Sequence, residues 1–228
     1  MVYNVSMDHK IELYQSLAVL FKSHGYELYL VGGTVRDYLL NIPLTDMDLV
    51  TEATPSEMKE FLKADYTFEK YGSVKCLYEG VKFDVTTLRV ESDYLDSRHP
   101  LKVCFTKSLK EDVFRRDLTI NALYMDKDLK VIDLVGGELD LKNKIINMIG
   151  NPDKRISEDP LRIVRAIRFE LEYNFSIEKK LEESIKRNII LLNKLNKDKL
   201  VQEIKKSAHP YELISKLNNF GFLIDIKC

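Results

Sequence analysis

The sequence predicts an α+β fold in two parts: a larger mixed region over residues 1–150 and a smaller all-helical one over 151–228. Three observations predict it. Strand-like runs alternate with helical stripes through the first part. From Asp159 to about Leu223 only helical periodicity remains. The turn-rich Gly150-Asn151-Pro152-Asp153 separates the two.

The elements follow in order. Residues 10–23 carry an amphipathic stripe of Ile11, Leu13, Leu17, Leu20 and Phe21, which Gly25 ends. Glu27–Val31 is a short strand, and Gly32-Gly33 turns it into a helix running to about Leu40. Asn41 then suits a left-handed residue. Asp46–Val50 is the next strand. Thr54 caps a helix with Pro55 in its first turn. Thr67–Tyr71, Val74–Tyr78 and Lys82–Leu88 read as strands separated by Gly72-Ser73 and Glu79-Gly80. Residues 91–102 are polar and irregular, a long loop by composition. Ser108–Phe114 and Thr119–Leu123 read as helical, Lys130–Leu134 as a strand closed by Gly136-Gly137, and 157–169 as one helix with Ser157 as its cap.

Composition bounds the function class. With 228 residues the chain can bury one sizeable core, or a main domain and an annex. The net charge of −1 gives no global basic character, but it is unevenly spread. Residues 1–150 hold 19 Lys/Arg against 24 Asp/Glu, and residues 151–228 hold 16 against 12. The second part is therefore mildly basic, which fits either a solvated helical surface or a weak nucleic-acid footprint. Cys76, Cys104 and Cys228 have no metal-ligand spacing, and they read as reduced thiols of a cytoplasmic protein. No apolar run is long enough for a membrane span, so no membrane partner is expected.

Chemistry concentrates in four segments. In LTDMDLV, Asp46 and Asp48 are two residues apart, so on a strand both carboxylates face one side while Met47 and Leu49 face the other. Hard anionic oxygens without Cys or His suit Mg²⁺; the bland alternative is a strand end with two solvated acids. Gly32 and Gly33 let backbone approach a phosphate at a helix start, with Arg36 in reach, although a tight turn alone explains such a pair equally well. Asp84 alternates with Phe83 and Val85 in KFDVTTLR. If its strand neighbours the first, it completes an acidic triad able to hold two metal ions. RRDLTINAL gathers Arg115, Arg116, Asp117 and Asn121, suited to phosphate and sugar oxygens or to a salt-bridge network.

The fourth is SEDPLRIVRAIRF. Leu161, Val164, Ile167 and Leu171 form its apolar stripe, leaving Glu158, Asp159, Arg162 and Arg165 on the other side. Asp159 and Arg162 are helical neighbours, which reads either as an ordinary surface ion pair or as a base reader. Cytosine and adenine both place an amino donor beside a ring-nitrogen acceptor. A carboxylate takes the first and a guanidinium serves the second, while uracil and guanine present the reverse order.

In this order over about residues 28–170, LVGGTVRDYLL…DMDLV, FDVTTLR, RRDLTINAL, DLVGGELDL and EDPLRIVRAIRF resemble the class II tRNA nucleotidyltransferases. These are the CCA-adding enzymes and their A-adding, CC-adding and bacterial poly(A) polymerase relatives. The resemblance implies a DNA polymerase β-like nucleotidyltransferase head over 1–150. A helical neck over 151–228 would follow, reading the base and beginning the RNA-binding region. It implies Asp46 and Asp48 as Mg²⁺ ligands with Asp84 as third acid, and Arg116 and Asp117 on the nucleotide phosphate and sugar. Asp159 and Arg162 would be the protein template, with Arg165 beside them.

The implied reaction adds C and A from CTP and ATP to the 3′ end of tRNA or a tRNA-like RNA, releasing pyrophosphate. A narrower alternative is A addition or short oligo(A) tailing. One from another class is a non-catalytic RNA- or nucleotide-binding module, or half of a split enzyme. ESDYLDSRHP resembles the family's flexible loop, whose loss accompanies CC-only enzymes, so its presence favours CCA or A addition. Three positions depart from the family's usual residues: Asp84 for Glu, Asn41 for Gly and Leu118 for Phe. Family members also run longer, with body and tail domains that hold the tRNA. The expectation is a truncated or reduced form, with a partner chain or homo-oligomer in their place.

Overall fold

The computed structural model describes residues 6–94 and 100–223, and for 91–94 and 100–102 the backbone alone. The chain runs α1 (Met7–Ser23), β1 (Leu28–Val31), α2 (Gly33–Leu39), β2 (Asp48–Thr51), α3 (Pro55–Met58), β3 (Ala64–Asp65), β4 (Ser73–Tyr78), β5 (Val81–Thr87), β6 (Arg89–Tyr94), β7 (Pro100–Phe105), α4 (Leu109–Val113), β8 (Tyr124–Met125) and β9 (Val131–Ile132). It continues α5 (Gly137–Asn143), β10 (Ile145–Ile146), α6 (Pro152–Glu158), α7 (Leu161–Tyr173), β11 (Ser176–Ile177), α8 (Lys179–Asn188), α9 (Lys197–Lys205) and α10 (Pro210–Asn219). Two compact units result. The first lies within Met1–Ser92, Lys102–Arg116 and Asn121–Val135; the second lies within Asp93–Leu101, Asp117–Ile120 and Gly136–Cys228.

The first unit is built on a sheet of order β3-β4-β5-β2-β1-β8-β9. Strand alternation decides its two faces. In β5, Val81, Phe83 and Val85 are buried while Lys82 and Asp84 are exposed. Leu30, Leu49, Val74 and Met58 extend the same dry interior. The β4–β5 turn uses Glu79 and Gly80, both at positive φ (46° and 84°), which matches the twist of a tight hairpin. Thr54 and Glu57 form a capping box at α3, with Pro55 in its first turn. Asn41 adopts φ 55°, the left-handed conformation expected where α2 ends.

The second unit holds α5–α10 and a parallel pair, β10–β11. Asn151 caps α6, its Oδ1 accepting from the Lys154 amide at 3.0 Å. Pro160 forces the residue before it to be extended, and Asp159 has φ −146°, ψ 98°. Among the described residues no helix is long and apolar enough to cross a membrane.

Several expected elements differ. The single helix over 157–169 is two, α6 and α7, broken at Asp159-Pro160. Ser157 caps neither; its hydroxyl donates to the Lys154 carbonyl within α6. Residues 67–71 hold a 3-10 turn, Glu69–Tyr71, instead of a strand, and β3 lies just ahead of them. Thr119–Asn121 is likewise one 3-10 turn, not a longer helix. The expected loop over 91–102 contributes its ends to β6 and β7, which pair in a two-stranded sheet; 95–99 lie outside the described residues. β11 interrupts the expected all-helical run after Asp159.

Candidate active site

In the first unit the acids assemble through sheet register. β2 and β5 run parallel with Asp48 directly opposite Asp84, so both stand on the open face. Asp46 precedes β2 instead of beginning it, but burial still alternates: Asp46 is exposed, Met47 2% exposed, Asp48 half-buried and Leu49 1% exposed. Thr34 holds this segment. Its hydroxyl donates to the Asp46 carbonyl (3.2 Å) and accepts from the Asp48 amide (2.9 Å), tying the start of α2 to the acids. Thr34 has no acidic or basic chemistry of its own, so nothing in the sequence signals this role.

Burial first, then the charges of Asp84 and Asp46, push the Asp48 carboxyl up to about 6, against Arg116 and Arg36, which lower it. Negative charge is thus concentrated beyond what the nearby arginines neutralise. A hard divalent cation fits that imbalance, and the donors are all carboxylate oxygens. Among the described residues no three His, Cys, Asp or Glu side chains converge on a common metal position. Asp84 therefore stands in register with the pair without closing a cage. Mg²⁺ commonly takes one or two carboxylates and completes its shell with water and substrate phosphates, which suits a two-acid seat.

Beside the acids is a small cavity of about 110 Å³, bounded among others by Val31, Gly32, Asp48, Thr86, Arg115 and Arg116. Drug-sized clefts begin near ~300 Å³, so this space admits a phosphate-sized group. Gly32 takes φ 67°, ψ −128°, a conformation that disfavours any side chain. Arg36, expected to reach a phosphate, is instead 5% exposed and bonded to Asp37 (Nε to Oδ1, 2.9 Å) and to Asn121 Oδ1. A Cβ on Gly33 would lie 3.2 Å from its Nη2, so that glycine makes room for the folded-back guanidinium. Asn121, with its oxygen taken by Arg36, keeps a buried Nδ2 that has no hydrogen-bond partner among the described residues.

Asp112, a functional residue not among those expected from the sequence, pairs with both arginines. Its oxygens accept from Arg115 Nε (2.8 Å), Arg116 Nε (3.0 Å) and Nη2 (2.9 Å), the Tyr124 hydroxyl (2.8 Å) and the Arg89 amide (3.1 Å). The available signal was an acid three and four residues ahead of an arginine pair, a helical spacing.

In the second unit, Asp117 Oδ2 accepts from Arg165 Nε and its Oδ1 from the Leu118 amide (2.8 Å). Arg162, expected on an open polar face, is 5% exposed. Its Nη1 donates to the Arg155 carbonyl (2.7 Å) and to Glu158 Oε2 (3.1 Å). Arg162 is thus ion-paired with Glu158, the last residue of α6, and the chain leaves the helix at Asp159. There the Asp159 carboxylate caps α7 by accepting from the Leu161 amide at 3.0 Å.

Burial raises the Asp112 and Asp117 carboxyls, but the arginines outweigh it: Arg116 and Arg115 for the first, Arg165 for the second. Both end at about 2. A depressed folded value means the unfolded chain binds the proton more readily. Their stabilisation is complete above the ordinary carboxylate pKa and is lost as pH falls from about 4 towards about 2. Each contributes on the order of 2 kcal/mol to that acid loss. Denaturant melts from pH 6 to pH 2 should show a steep fall at the acid end, and Asp117→Asn should flatten it.

The Poly A polymerase head domain family matches residues 28–147. The CCA-adding enzyme of Lactobacillus helveticus is 46% identical over 183 residues, 80% of this chain and 46% of that enzyme. The CCA-adding enzyme of Staphylococcus haemolyticus is 41% identical over 186 residues, 81% of this chain and 46% of its own. Among solved structures, the Bacillus stearothermophilus CCA-adding enzyme in complex with CTP superposes with TM-score 0.82 and 32% identity, covering 92% of this chain and 52% of that one. The Thermotoga maritima CCA-adding enzyme complexed with tRNA(CCA) gives 0.76 and 28%, covering 96% and 52%. The chain spans about half the length of the curated relatives it matches.

Proposed function

The chain belongs to the poly A polymerase head-domain family, and on that premise we propose that it carries out the nucleotidyl transfer of a CCA-adding enzyme. It would add C and A from CTP and ATP to the 3′ end of tRNA, in the cytoplasm. The observation that carries this reading is the pairing of Asp48 with Asp84 across β2 and β5, with Asp48 in the wall of the cavity that Gly32 and Arg116 also line.

Each unit supplies one part of the chemistry. In the first, Gly32 offers open backbone, and Arg115 and Arg116 offer positive charge to the triphosphate. Asp46 and Asp48 would hold Mg²⁺, which when bound supplies charge neutralisation on the phosphates and acidifies the attacking hydroxyl. Asp84, opposite Asp48, would orient that hydroxyl. Asn121 has its amide fixed by Arg36, and its Nδ2 is left to donate to a sugar hydroxyl. The 3′ oxygen forms the new phosphodiester with the α-phosphorus as pyrophosphate departs.

The second unit would read the base. Arg162 is fixed by Glu158 and the Arg155 carbonyl, so its guanidinium is pre-oriented toward a ring-nitrogen acceptor, with Asp159 accepting from the neighbouring amino group. Asp117, ion-paired to Arg165, would serve the ribose.

The deciding assay incubates the chain and Mg²⁺ with tRNAs ending at the discriminator base, at C and at CC, each with CTP, ATP, both, or UTP. Growth to CCA followed by a stop is the expected result. Addition only to the CC end would make this an A-adding enzyme, and no extension by any combination would overturn the proposal. Asp159→Ala should relax exclusion of UTP by ~10-fold or more while slowing CTP addition less, since loss of a base-reading hydrogen bond weakens discrimination before chemistry. Unchanged exclusion of UTP would remove Asp159 from the template.

A further inference from the structure

We propose that Asp112, assisted by Tyr124, is a positioning residue. It locks Arg116 into one orientation beside Gly32, and so sets how strongly the phosphate tail of the nucleotide is held. The inference rests on the nucleotidyl-transfer reading above and deepens it.

The geometry is specific. Arg116 presents one edge, Nε and Nη2, to Asp112 Oδ2 at 3.0 and 2.9 Å. Contact along an edge fixes the plane of a guanidinium as well as its position. Tyr124 closes the arrangement. Its hydroxyl donates to the same Oδ2 at 2.8 Å and lies 3.2 Å from Arg116 Nε, while Arg116 Cζ stands 5.2 Å from the Tyr124 ring centroid. The remaining corner, Nη1, lies 3.7 Å from where a Cβ on Gly32 would stand. That is the side of the cavity whose wall includes Gly32, Asp48 and Thr86.

Charge explains why a carboxylate is needed there. Arg116 and Asp48 line the same small cavity. A mobile arginine would collapse onto the Asp46/Asp48 pair and occupy the seat of a cation. Asp112 holds it away. The same carboxylate takes an ion pair from each of Arg115 and Arg116, so the two guanidinium groups are held side by side. Asp112 is 0% exposed and stays ionised well below neutral pH, so this anchoring is constant over the working range.

A purely structural role would lower stability and weaken all ligands alike. The test therefore compares ligands that differ only in phosphate number. Dissociation constants for ATP, ADP and AMP would be measured with the full chain in Mg²⁺, beside thermal melts, for wild type, Asp112→Asn, Tyr124→Phe, Arg116→Ala and the Asp112→Asn/Arg116→Ala double variant. Asp112→Asn should weaken ATP by ~10- to 100-fold and AMP much less, the scale of a lost charge-assisted contact. Tyr124→Phe, which removes one hydroxyl from an otherwise intact packing site, should shift ATP in the same direction by ~3- to 10-fold.

In the double variant, the Asp112 change should add much less to Arg116→Ala than it costs in wild type, because it acts chiefly through Arg116 and keeps only its contact with Arg115 Nε there. Equal weakening of ATP and AMP, or full additivity in the double variant, would overturn the proposal. So would unchanged ATP binding in a Tyr124→Phe protein that melts like wild type, and that variant decides the matter if Asp112→Asn fails to fold. A wild type that binds ATP no better than AMP would sink the nucleotidyl-transfer reading itself, a result separable from any behaviour of the variants.

Discussion

Asp48→Asn is expected to abolish nucleotide addition while leaving the fold at least as stable as before. Asp48 faces Asp84 across the β2–β5 register and follows Asp46 by two residues, so three acids crowd one end of the open face. Burial and the two neighbouring carboxylates oppose its charge, and Arg116 and Arg36 offset them only in part. Asparagine keeps the shape and removes the repulsion. Its backbone amide still donates to Thr34 Oγ1, so the segment stays anchored. Stability should hold or rise, the behaviour of a residue kept for chemistry at the expense of the fold. Turnover should fall by at least ~10³-fold, since phosphoryl transfer depends almost wholly on positioning and charge stabilisation. Single-turnover extension of a CC-ended tRNA beside a thermal melt measures both. A folded variant with normal turnover would remove Asp48 from the reaction.

The acid pair was legible in the sequence because strand periodicity is two and the flanking Met47 and Leu49 are apolar; the same logic reached Asp84 from Phe83 and Val85. Asn41, the Thr54 cap and the hairpin at Glu79-Gly80 were legible because each is a local backbone demand met by a local residue type. What stayed hidden depends on partners distant in sequence. Arg36 looks like a phosphate ligand in its own helix, and only the fold brings Asn121 to it across 85 positions. Asp112 looks like a solvated helix acid until Tyr124 and the Arg89 amide close over it. β6 and β7 were hidden for another reason. Glu91, Ser92 and Asp93 have poor strand propensity, and pairing along a sheet does not require an apolar face. The break at Pro160 is hard to see in the sequence because proline is tolerated in a first helical turn. What decides is that the residue before it must be extended, so Pro160 starts α7 instead of continuing α6.

Glu203→Ala is expected to be the most damaging single change in the second unit. Glu203 sits on α9 and is 2% exposed, an unusual place for a carboxylate. Three cations surround it: Lys206 Nζ at 2.8 Å from Oε2, with Arg168 Nη2 and Arg165 Nη1 at 3.4 and 3.8 Å from Oε1. Only the lysine contact has hydrogen-bond geometry; Oε1 has no hydrogen-bond partner, so its interaction with the arginines is one of charge at close range. Burial raises the Glu203 carboxyl, and Lys206, Arg165 and Arg168 together hold it below its ordinary value. Alanine would remove a negative charge that reaches both Arg165 and Arg168 on α7, and would leave a cavity. Breaking a buried ion network by deleting one partner costs about 3–5 kcal/mol, a large share of the ~5–15 kcal/mol that holds a domain together. The damage should also spread along α7. Arg165 is the partner of Asp117, and with its second acid gone its side chain is less constrained. Denaturant unfolding should show a lower midpoint for Glu203→Ala and a smaller loss for Glu203→Met, which refills the volume and removes the charge. If the two variants lose the same stability, packing is not part of the effect and the loss is that of the charge alone. If neither loses more than ~0.5 kcal/mol, the network is not a stabilising element of this unit.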